Sequence, residues 1–574
     1  MYRTSLRRAF PLLASIAIIV AAFLAFGHAL VQDFSPIDDT YLIMQNLAIR
    51  GPTFAHLKTI FTTFDPELYI PLTFLSFQID YLIGGLHPWI FHLTNILLHA
   101  ANGVLVYFLV RKCTKGDLIA LFCGLLFSVH PLQTESVVWA MIRKDLLSTF
   151  FLLLTVLLYF SGRRNRLAYG AGIATFLLAL LSKVTVAPLP FVLLFHDFFV
   201  EKRRDRGMIL DKIPHFTIAI AFVVIAFLGK THVMGAIDPL TMIVLSGKSI
   251  ALTLQHFVFP HHLVPFYEEA GKTLFSIGNI FALSVALLFC VMTVLLLFKT
   301  PRFGFGLFFF LVMLSPSFLS PFRAGALYGT ADHYAYLPII GLILSLGILL
   351  SVIGKKIPSF MRPAPLALGA ILIAILCLLS VRQAKVWDSA ATLFKYALET
   401  KPSSVAARTA YAKVQLDTND PLAAFETLKQ GLKYGDDPRL HLTAGMIYAR
   451  SGQIPEAEEQ FRKAFSMDPT NPEPLFSLGS VEEQTQRPDD ALAHYQRALA
   501  LDPSYVAAAL GIGRIKILKN DFAGAEREFR TVLAWNWNTA DAHIGLARAL
   551  VKQGKADEAE MHRIISNEIR FIPQ

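Results

Sequence analysis

The sequence is poor in charge, in cysteine and in the glycine-rich loops that hold phosphate. Asp, Glu, Lys and Arg make up 16% of 574 residues, where a soluble globular chain carries about a quarter. With 54% hydrophobic residues and a mean hydropathy of +0.52, that scarcity excludes a soluble enzyme of ordinary composition. The four cysteines, Cys113, Cys123, Cys290 and Cys377, fall in or beside apolar segments, which leaves neither a disulfide framework nor a CxxC metal site. The P-loop, GxGxxG, HExxH and GxSxG patterns are missing. With them go the usual signals of ATP-driven transport, dinucleotide chemistry, zinc proteolysis and serine hydrolysis.

The charge that is present is unevenly placed. Up to residue 385 there are 30 Lys/Arg against 17 Asp/Glu, and beyond it 22 against 25, so the formal +10 divides into +13 and −3. An apolar, basic first part with recurring stretches of about 20 apolar residues reads as a polytopic membrane protein, and no nucleic-acid partner is expected. Apolar spans lie near 9–31, 90–110, 117–130, 145–160, 167–182, 185–200, 213–229, 275–298, 303–320, 335–353 and 365–382, about 11 transmembrane helices. The run after Arg3, Arg7 and Arg8 is too long for a signal-peptide core and is expected to remain as the first span.

Basic clusters recur at every second connection: Arg3/Arg7/Arg8, Arg111/Lys112/Lys115, Arg163/Arg164/Arg166, Lys202/Arg203/Arg204/Arg206, Lys299/Arg302 and Lys355/Lys356/Arg362. All fall on the cytoplasmic side if 231–274 does not cross. Its middle, 241–258, is then expected to be an interfacial helix. The odd number of spans puts everything after Arg382 on the opposite side.

That second part has a period of 34. Ala423, Ala457, Ala491, Ala525 and Ala559 keep it, as do Gly445, Gly479, Gly513 and Ala547, with Phe461, Tyr495 and Phe529 four residues after their alanines. Pro469 and Pro503 end units. This is the tetratricopeptide repeat, in which small residues let paired helices approach and an aromatic fills the gap. About four to five repeats are expected over 403–571, after a half-unit at Val386–Lys401. The fold class is therefore all-α, a membrane helical bundle over 1–385 followed by an α-solenoid over 386–571. The solenoid offers a groove for a protein partner.

Ionisable residues beside the membrane are costly, so each is a functional candidate. Asp38-Asp39, just beyond the first span, can activate a hydroxyl or help bind a metal, or can cap a helix after Pro36. Arg143-Lys144-Asp145 opens a span on the side where basic residues are disfavoured. Arg and Lys there suit a phosphate, or snorkel with an ion pair to Asp145. Lys183 is a further, isolated candidate. His130 and Glu135 share the preceding connection. His92, Asn95, His99 and Asn102 lie on one helical face, where they line a cavity or join helices. Asp332, His333 and Tyr334 put acid, imidazole and phenol together where a polar substrate meets lipid, or form part of an aromatic belt. His256, His261 and His262 match no metal-ligand spacing and receive no role. The layout suits an enzyme that takes an activated group from a lipid phosphate.

Asp38-Asp39, Tyr69-Ile70-Pro71-Leu72-Thr73, Gly85-Leu86-His87-Pro88, Phe91 to His99, His130-Pro131…Thr134-Glu135…Arg143-Lys144-Asp145, Leu181-Ser182-Lys183 and Ala331-Asp332-His333-Tyr334 together resemble the transmembrane-and-tetratricopeptide O-mannosyltransferase-like family. The resemblance covers nearly the whole chain in order. It implies a GT-C glycosyltransferase with a polyprenyl-phosphate sugar as donor and inverting chemistry. Asp38 is implied as the catalytic carboxylate, with Asp39 second. Arg143, Lys144 and Lys183 would bind donor phosphate, and His92, His99, His130, Glu135, Asp332, His333 and Tyr334 would close the sugar and acceptor pocket. His333 stands where the family's motif usually has Arg. A carboxylate base and fixed cations suffice without a metal, so a divalent ion is compatible but not implied. The other enzyme reading is an oligosaccharide polymerase or ligase using lipid pyrophosphate, and the rival from another class is a lipid-sugar transporter with a repeat scaffold. Membrane lipid and a protein acceptor are the expected partners. The expected location is a bacterial inner membrane with periplasmic repeats, the alternative being the endoplasmic reticulum.

Overall fold

A computed structural model describes residues 2–570 except 36, 65–67, 162–164, 230–237, 266, 270–275, 320–321, 324–325, 329 and 362. Arg163, Arg164, Arg362 and the side chains of Arg3, Arg7 and Arg8, read above as charged signals, lie outside the described residues, as do Asp65 and Glu67. The chain divides into two compact units, Met1–Asp39 with Ala48–Ser389, and Thr40–Leu47 with Ala390–Gln574.

In the first unit a helix stands at each of the eleven expected places. They are Tyr2–Phe26, Pro88–Thr114, Asp117–Val129, Arg143–Ser161, Arg166–Ser182, Leu189–Phe195, Ile213–Gly229, Ile277–Lys299, Pro301–Leu314, Ile339–Gly354 and Pro363–Lys385. Among the described residues, six helices are long and apolar enough to cross a membrane, or up to seven if Asp117–Val129 and Pro131–Val138, bent by 50°, form one span. Others are short, including Arg166–Ser182 and Ile339–Gly354, or open on charge, as Arg143-Lys144-Asp145 does. The segment expected to stay out of the bilayer holds the helix Pro239–Val258. Its start is dictated locally, because Asp238 Oδ1 accepts from the backbone N–H of Leu240 at 2.9 Å and of Thr241 at 3.1 Å, with Pro239 at the first helical position.

Glycine permits a close helix crossing. A Cβ on Gly341 would lie 2.3 Å from the Gly306 carbonyl oxygen, and one on Gly306 2.5 Å from that of Gly341, so Pro301–Leu314 and Ile339–Gly354 meet backbone to backbone. A three-stranded antiparallel fragment, Glu268–Glu269, Ala326–Tyr328 and Phe322–Arg323, interrupts the otherwise helical chain.

The second unit holds five helix pairs, from Val405–Asp417 with Pro421–Gly431 to Ala540–Lys552 with Ala556–Arg570, preceded by the lone helix Ala390–Thr400. The 34-residue period has a steric origin. Cβ atoms on Gly445, Gly479 and Gly513 would come within 2.5, 2.7 and 2.6 Å of the rings of Phe461, Tyr495 and Phe529. Gly511 and Gly545, also 34 apart, press on Tyr495 and Phe529 from the following helix. Tyr495 and Phe529 are thus each clamped between two glycines, while Phe461 meets Gly445 alone, and this explains why the ring and the small residues repeat together. One element was not expected here. Thr40–Leu47, read as part of an external loop, belongs to this unit, where the Leu47 N–H donates to Asn538 Oδ1 at 3.1 Å and Asn538 Nδ2 donates to Asn46 Oδ1 at 3.1 Å.

Candidate functional site

Asp39 is completely buried. Its Oδ1 accepts from the Met141 N–H at 2.9 Å and its Oδ2 from the Ser35 N–H at 2.8 Å. Neither donor belongs to the turn Thr40–Met44 that Asp39 precedes, so these bonds do not cap a helix. Burial pushes this carboxyl from an ordinary 3.8 up to about 7; the two amides and Lys144 oppose the rise and Asp38 adds to it. Asp38, implied as the first choice for the catalytic acid, is only partly buried. The anchored and proton-tuned carboxyl is Asp39.

The basic candidates do not act alike. Arg143 is fully buried and forms a 2.5 Å ion pair with Asp80. Its Nε donates to Asn95 Oδ1 at 2.9 Å, its Nη2 to the Phe91 carbonyl at 2.7 Å, and the guanidinium stacks 4.5 Å over Phe77. The expectation that Arg143 binds donor phosphate is corrected, since its fork is occupied and no face reaches solvent or lipid. Lys183 is likewise committed: its Nζ donates to both Asp145 oxygens, at 2.6 and 2.7 Å. That pairing bears on the snorkelling alternative, because it gives Asp145 a partner 38 residues away in sequence. Lys144 stands near enough to Asp39 to hold its proton affinity down, and 7% of the residue is exposed.

His333 Nδ1 lies 2.7 Å from Glu135 Oε1 and the ring stands edge-on to Trp139. The Tyr267 hydroxyl donates to Asp332 at 2.9 Å, and His256 Nδ1 stands 3.4 Å from the same carboxylate. Burial raises the Asp332 carboxyl, with His256 and Tyr267 opposing, and raises the Tyr267 phenol well above its ordinary value. Tyr334 is half-buried against the His333 ring, with Lys183 Nζ 5.7 Å from its own ring centre.

One stretch of chain is rich in unanswered polar atoms. Gln133 Oε1 and Nε2, Thr134 Oγ1, Glu135 Oε2, Ser136 Oγ and Trp139 Nε1 are buried with no hydrogen-bond partner among the described residues. Buried polar groups are rarely left so, and a run of them marks where a polar ligand or water belongs. A cavity of about 10 Å³, room for one water, is bounded by Thr134, Glu135 and Asp332 among others. Among the described residues no three His, Cys, Asp or Glu side chains are grouped to hold a metal.

The aligned face of Pro88–Thr114 joins helices. His99 bonds the Tyr336 hydroxyl at 2.9 Å and the Ser128 carbonyl at 3.1 Å, Asn102 donates to the Leu146 carbonyl at 3.0 Å, and Asn95 donates toward the carbonyls of Val137 and Trp139. His99 is corrected from pocket residue to helix glue, being fully buried with both ring nitrogens engaged. His92 is 1% exposed against Phe34, on the same interior face. His130 is corrected too. Its Nε2 lies 3.0 Å from the Phe257 carbonyl while its Nδ1 accepts from the Leu132 N–H at 3.2 Å, which caps the short turn Pro131–Gln133. Two groupings result, Asp39 with Lys144 and Glu135 with Asp332, His333 and Tyr334. Sequence reading counted Asp80 only among the acids of the first external connection and gave it no role, though a carboxylate inside an apolar helix is a signal. It gave His256 no role and missed Tyr267, and their approach to Asp332 spans at least 65 residues of chain and leaves no local pattern.

Residues 71–228 match the family described as dolichyl-phosphate-mannose-protein mannosyltransferase. Residues 442–506, 483–538 and 540–561 match tetratricopeptide repeat families. The protein O-mannosyl-transferase tmtc2 of Xenopus laevis is 44% identical over 91 residues, 16% of this chain and 11% of that protein. TMTC4 of Homo sapiens is 32% identical over 188 residues, 29% of this chain and 25% of that protein. The matches thus span between 11% and 25% of the length of these relatives. Among solved structures, MamA is 22% identical, covering 28% of this chain and 94% of its own with a TM-score of 0.25. YrrB, a TPR protein with an unusual peptide-binding site, is 20% identical, covering 31% and 93% with a TM-score of 0.24. The family and relative matches bear out the resemblance to the transmembrane-and-tetratricopeptide O-mannosyltransferase-like family.

Proposed function

We propose that this chain is a membrane glycosyltransferase that moves a sugar from a polyprenyl-phosphate carrier to a hydroxyl of a protein, on the membrane face opposite the basic connections. The names of its relatives favour mannose as the sugar. That face is periplasmic in a bacterial inner membrane and lumenal in an endoplasmic reticulum. The observation that carries the reading is Asp39, a buried carboxyl held by two amides and poised near neutral pH beside a lysine. A general base works best when its proton affinity lies near the working pH.

In the proposed step the acceptor hydroxyl gives its proton to Asp39 as its oxygen attacks the anomeric carbon. The bond from that carbon to the phosphate oxygen breaks, and the polyprenyl phosphate leaves with the electron pair. Lys144 opposes the charge that grows on the departing phosphate. The unanswered polar atoms of Gln133, Thr134, Glu135, Ser136 and Trp139 supply donors and acceptors for sugar and acceptor hydroxyls. Arg143 and Lys183 are each paired with a carboxylate, which leaves less positive charge at hand than a pyrophosphate donor would call for. This favours transfer of one sugar over a ligase reading. The repeats recruit the acceptor protein.

The test uses full-length protein in lipid discs with polyprenyl-phosphate [³H]mannose and a Ser/Thr peptide. Asp39→Asn is expected to lose transfer by roughly 10²–10⁴-fold, and Asp38→Asn by far less. A folded Asp39→Asn protein with full transfer would end the assignment.

A further inference from the structure

A cleft of about 610 Å³ opens where Pro88–Thr114 ends, at the face that carries the basic connections. Arg111, Lys112 and Lys115 line it with Asp117 and Ser161, and Phe108 and Leu157 supply apolar wall. Three cations face one carboxylate, and two of them are held by side-chain hydrogen bonds. Arg111 Nε donates to Asp117 Oδ1 at 2.6 Å, which fixes its guanidinium plane, and Lys112 Nζ donates to Ser161 Oγ at 2.8 Å. Lys115 ends the helix in the left-handed conformation, φ 57°, with its N–H returned to the Arg111 carbonyl at 2.8 Å. Glycine is the usual residue at such a helix end because a side chain there is strained. A lysine at this position adds a cation to the cleft where the backbone favours none.

Orientation by positive charge requires only basic residues somewhere in the connection. It does not require them to converge on one cleft with an apolar wall, fixed by Asp117 and Ser161. A ligand that matches both features carries an anionic phosphodiester at one end and hydrocarbon at the other. We propose that this cleft binds the headgroup of an anionic phospholipid, with the phosphodiester among Arg111, Lys112 and Lys115 and the first acyl carbons along Phe108 and Leu157. The site is independent of the glycosyl-transfer reading.

Full-length protein in neutral detergent, titrated with phosphatidylglycerol or phosphatidylcholine and read by native mass spectrometry, tests this. Each basic residue near an anionic headgroup changes affinity roughly fivefold. The double variant Lys112→Gln, Lys115→Gly is therefore expected to lose about 30-fold in phosphatidylglycerol affinity with no change for phosphatidylcholine. Lys115→Gly alone relieves the left-handed strain, so it is expected to fold at least as well while binding about fivefold less. Equal affinity of the wild type for the two lipids would overturn the proposal. So would an unchanged preference in a double variant that unfolds at the wild-type temperature. Competition by millimolar inorganic phosphate as effective as the lipid would reassign the cleft to free phosphate and overturn the lipid proposal as well.

Discussion

The backbone N–H of Met141 donates to Asp39 Oδ1 at 2.9 Å, linking the acid after the first membrane helix to the connection that leads into Arg143-Lys144. With Ser35 holding the other oxygen, the carboxyl keeps one position while burial pushes its proton affinity from 3.8 to about 7. A base so placed gains activity as it ionises, so the transfer rate is expected to rise through an apparent pKa near 7. Stability runs the other way. Between about pH 4 and 7 the folded state holds a proton that the unfolded state has released. The contribution of Asp39 is thus present at low pH and lost as pH rises through 7, a loss of about 4 kcal/mol. Asp39→Asn, which cannot ionise, is expected to unfold at a higher temperature than wild type at pH 8 while transferring almost nothing. Thermal melts at pH 5 and 8 beside a rate profile check both signs, and an inactive variant less stable at pH 8 would make Asp39 structural.

Lys144 holds the affinity of Asp39 down by its charge. Lys144→Gln is expected to move the midpoint of the pH–rate profile to higher pH and, by weakening stabilisation of the leaving phosphate, to cut kcat by about 10²-fold even on the alkaline plateau. A residue that only packed the loop would lower the rate without moving the midpoint.

The two units differed in how much of them the sequence announced. The repeats were legible to the residue, because each ring of Phe461, Tyr495 and Phe529 needs a glycine on the preceding helix and that steric demand recurs every 34 positions. The eleven apolar stretches all became helices, since length and composition decide that locally. Which charges work and which brace the fold was not legible. Arg143 and Lys144 are adjacent in sequence and equal as phosphate binders, yet one points into Asp80 and Asn95 and the other lies near Asp39. That choice is made by residues 48 and 63 positions away, beyond any local pattern.

The contacts between rings and glycines make a direct prediction for the repeats. Gly445→Ala adds a Cβ 2.5 Å from Phe461, in a core where Ala457 and Ala464 leave no room. The ring must shift, at a cost of roughly 1–3 kcal/mol. The expected result is earlier loss of the solenoid in thermal or protease unfolding with kcat on a short peptide unchanged. Phe461→Leu in the same background is expected to recover part of the stability, which a backbone effect of alanine would not allow.

Arg143 and Asp80 are both buried, 0% and 2% exposed, and held 2.5 Å apart with Thr94 donating to Asp80 at 2.7 Å and Asn95 accepting from Arg143. Removing one member of such a pair strands a charge in the interior and costs about 3–5 kcal/mol. Arg143→Met and Asp80→Leu are each expected to lower the unfolding temperature sharply, whereas the double substitution restores most of it, because two apolar groups replace the pair without an unmet charge. The same cycle decides the role of Arg143. A bracing arginine predicts that the stable double variant transfers sugar with a donor KM near that of wild type. An arginine that grips the donor phosphate predicts a stable double variant with KM raised at least tenfold, and that outcome would return Arg143 to the donor site.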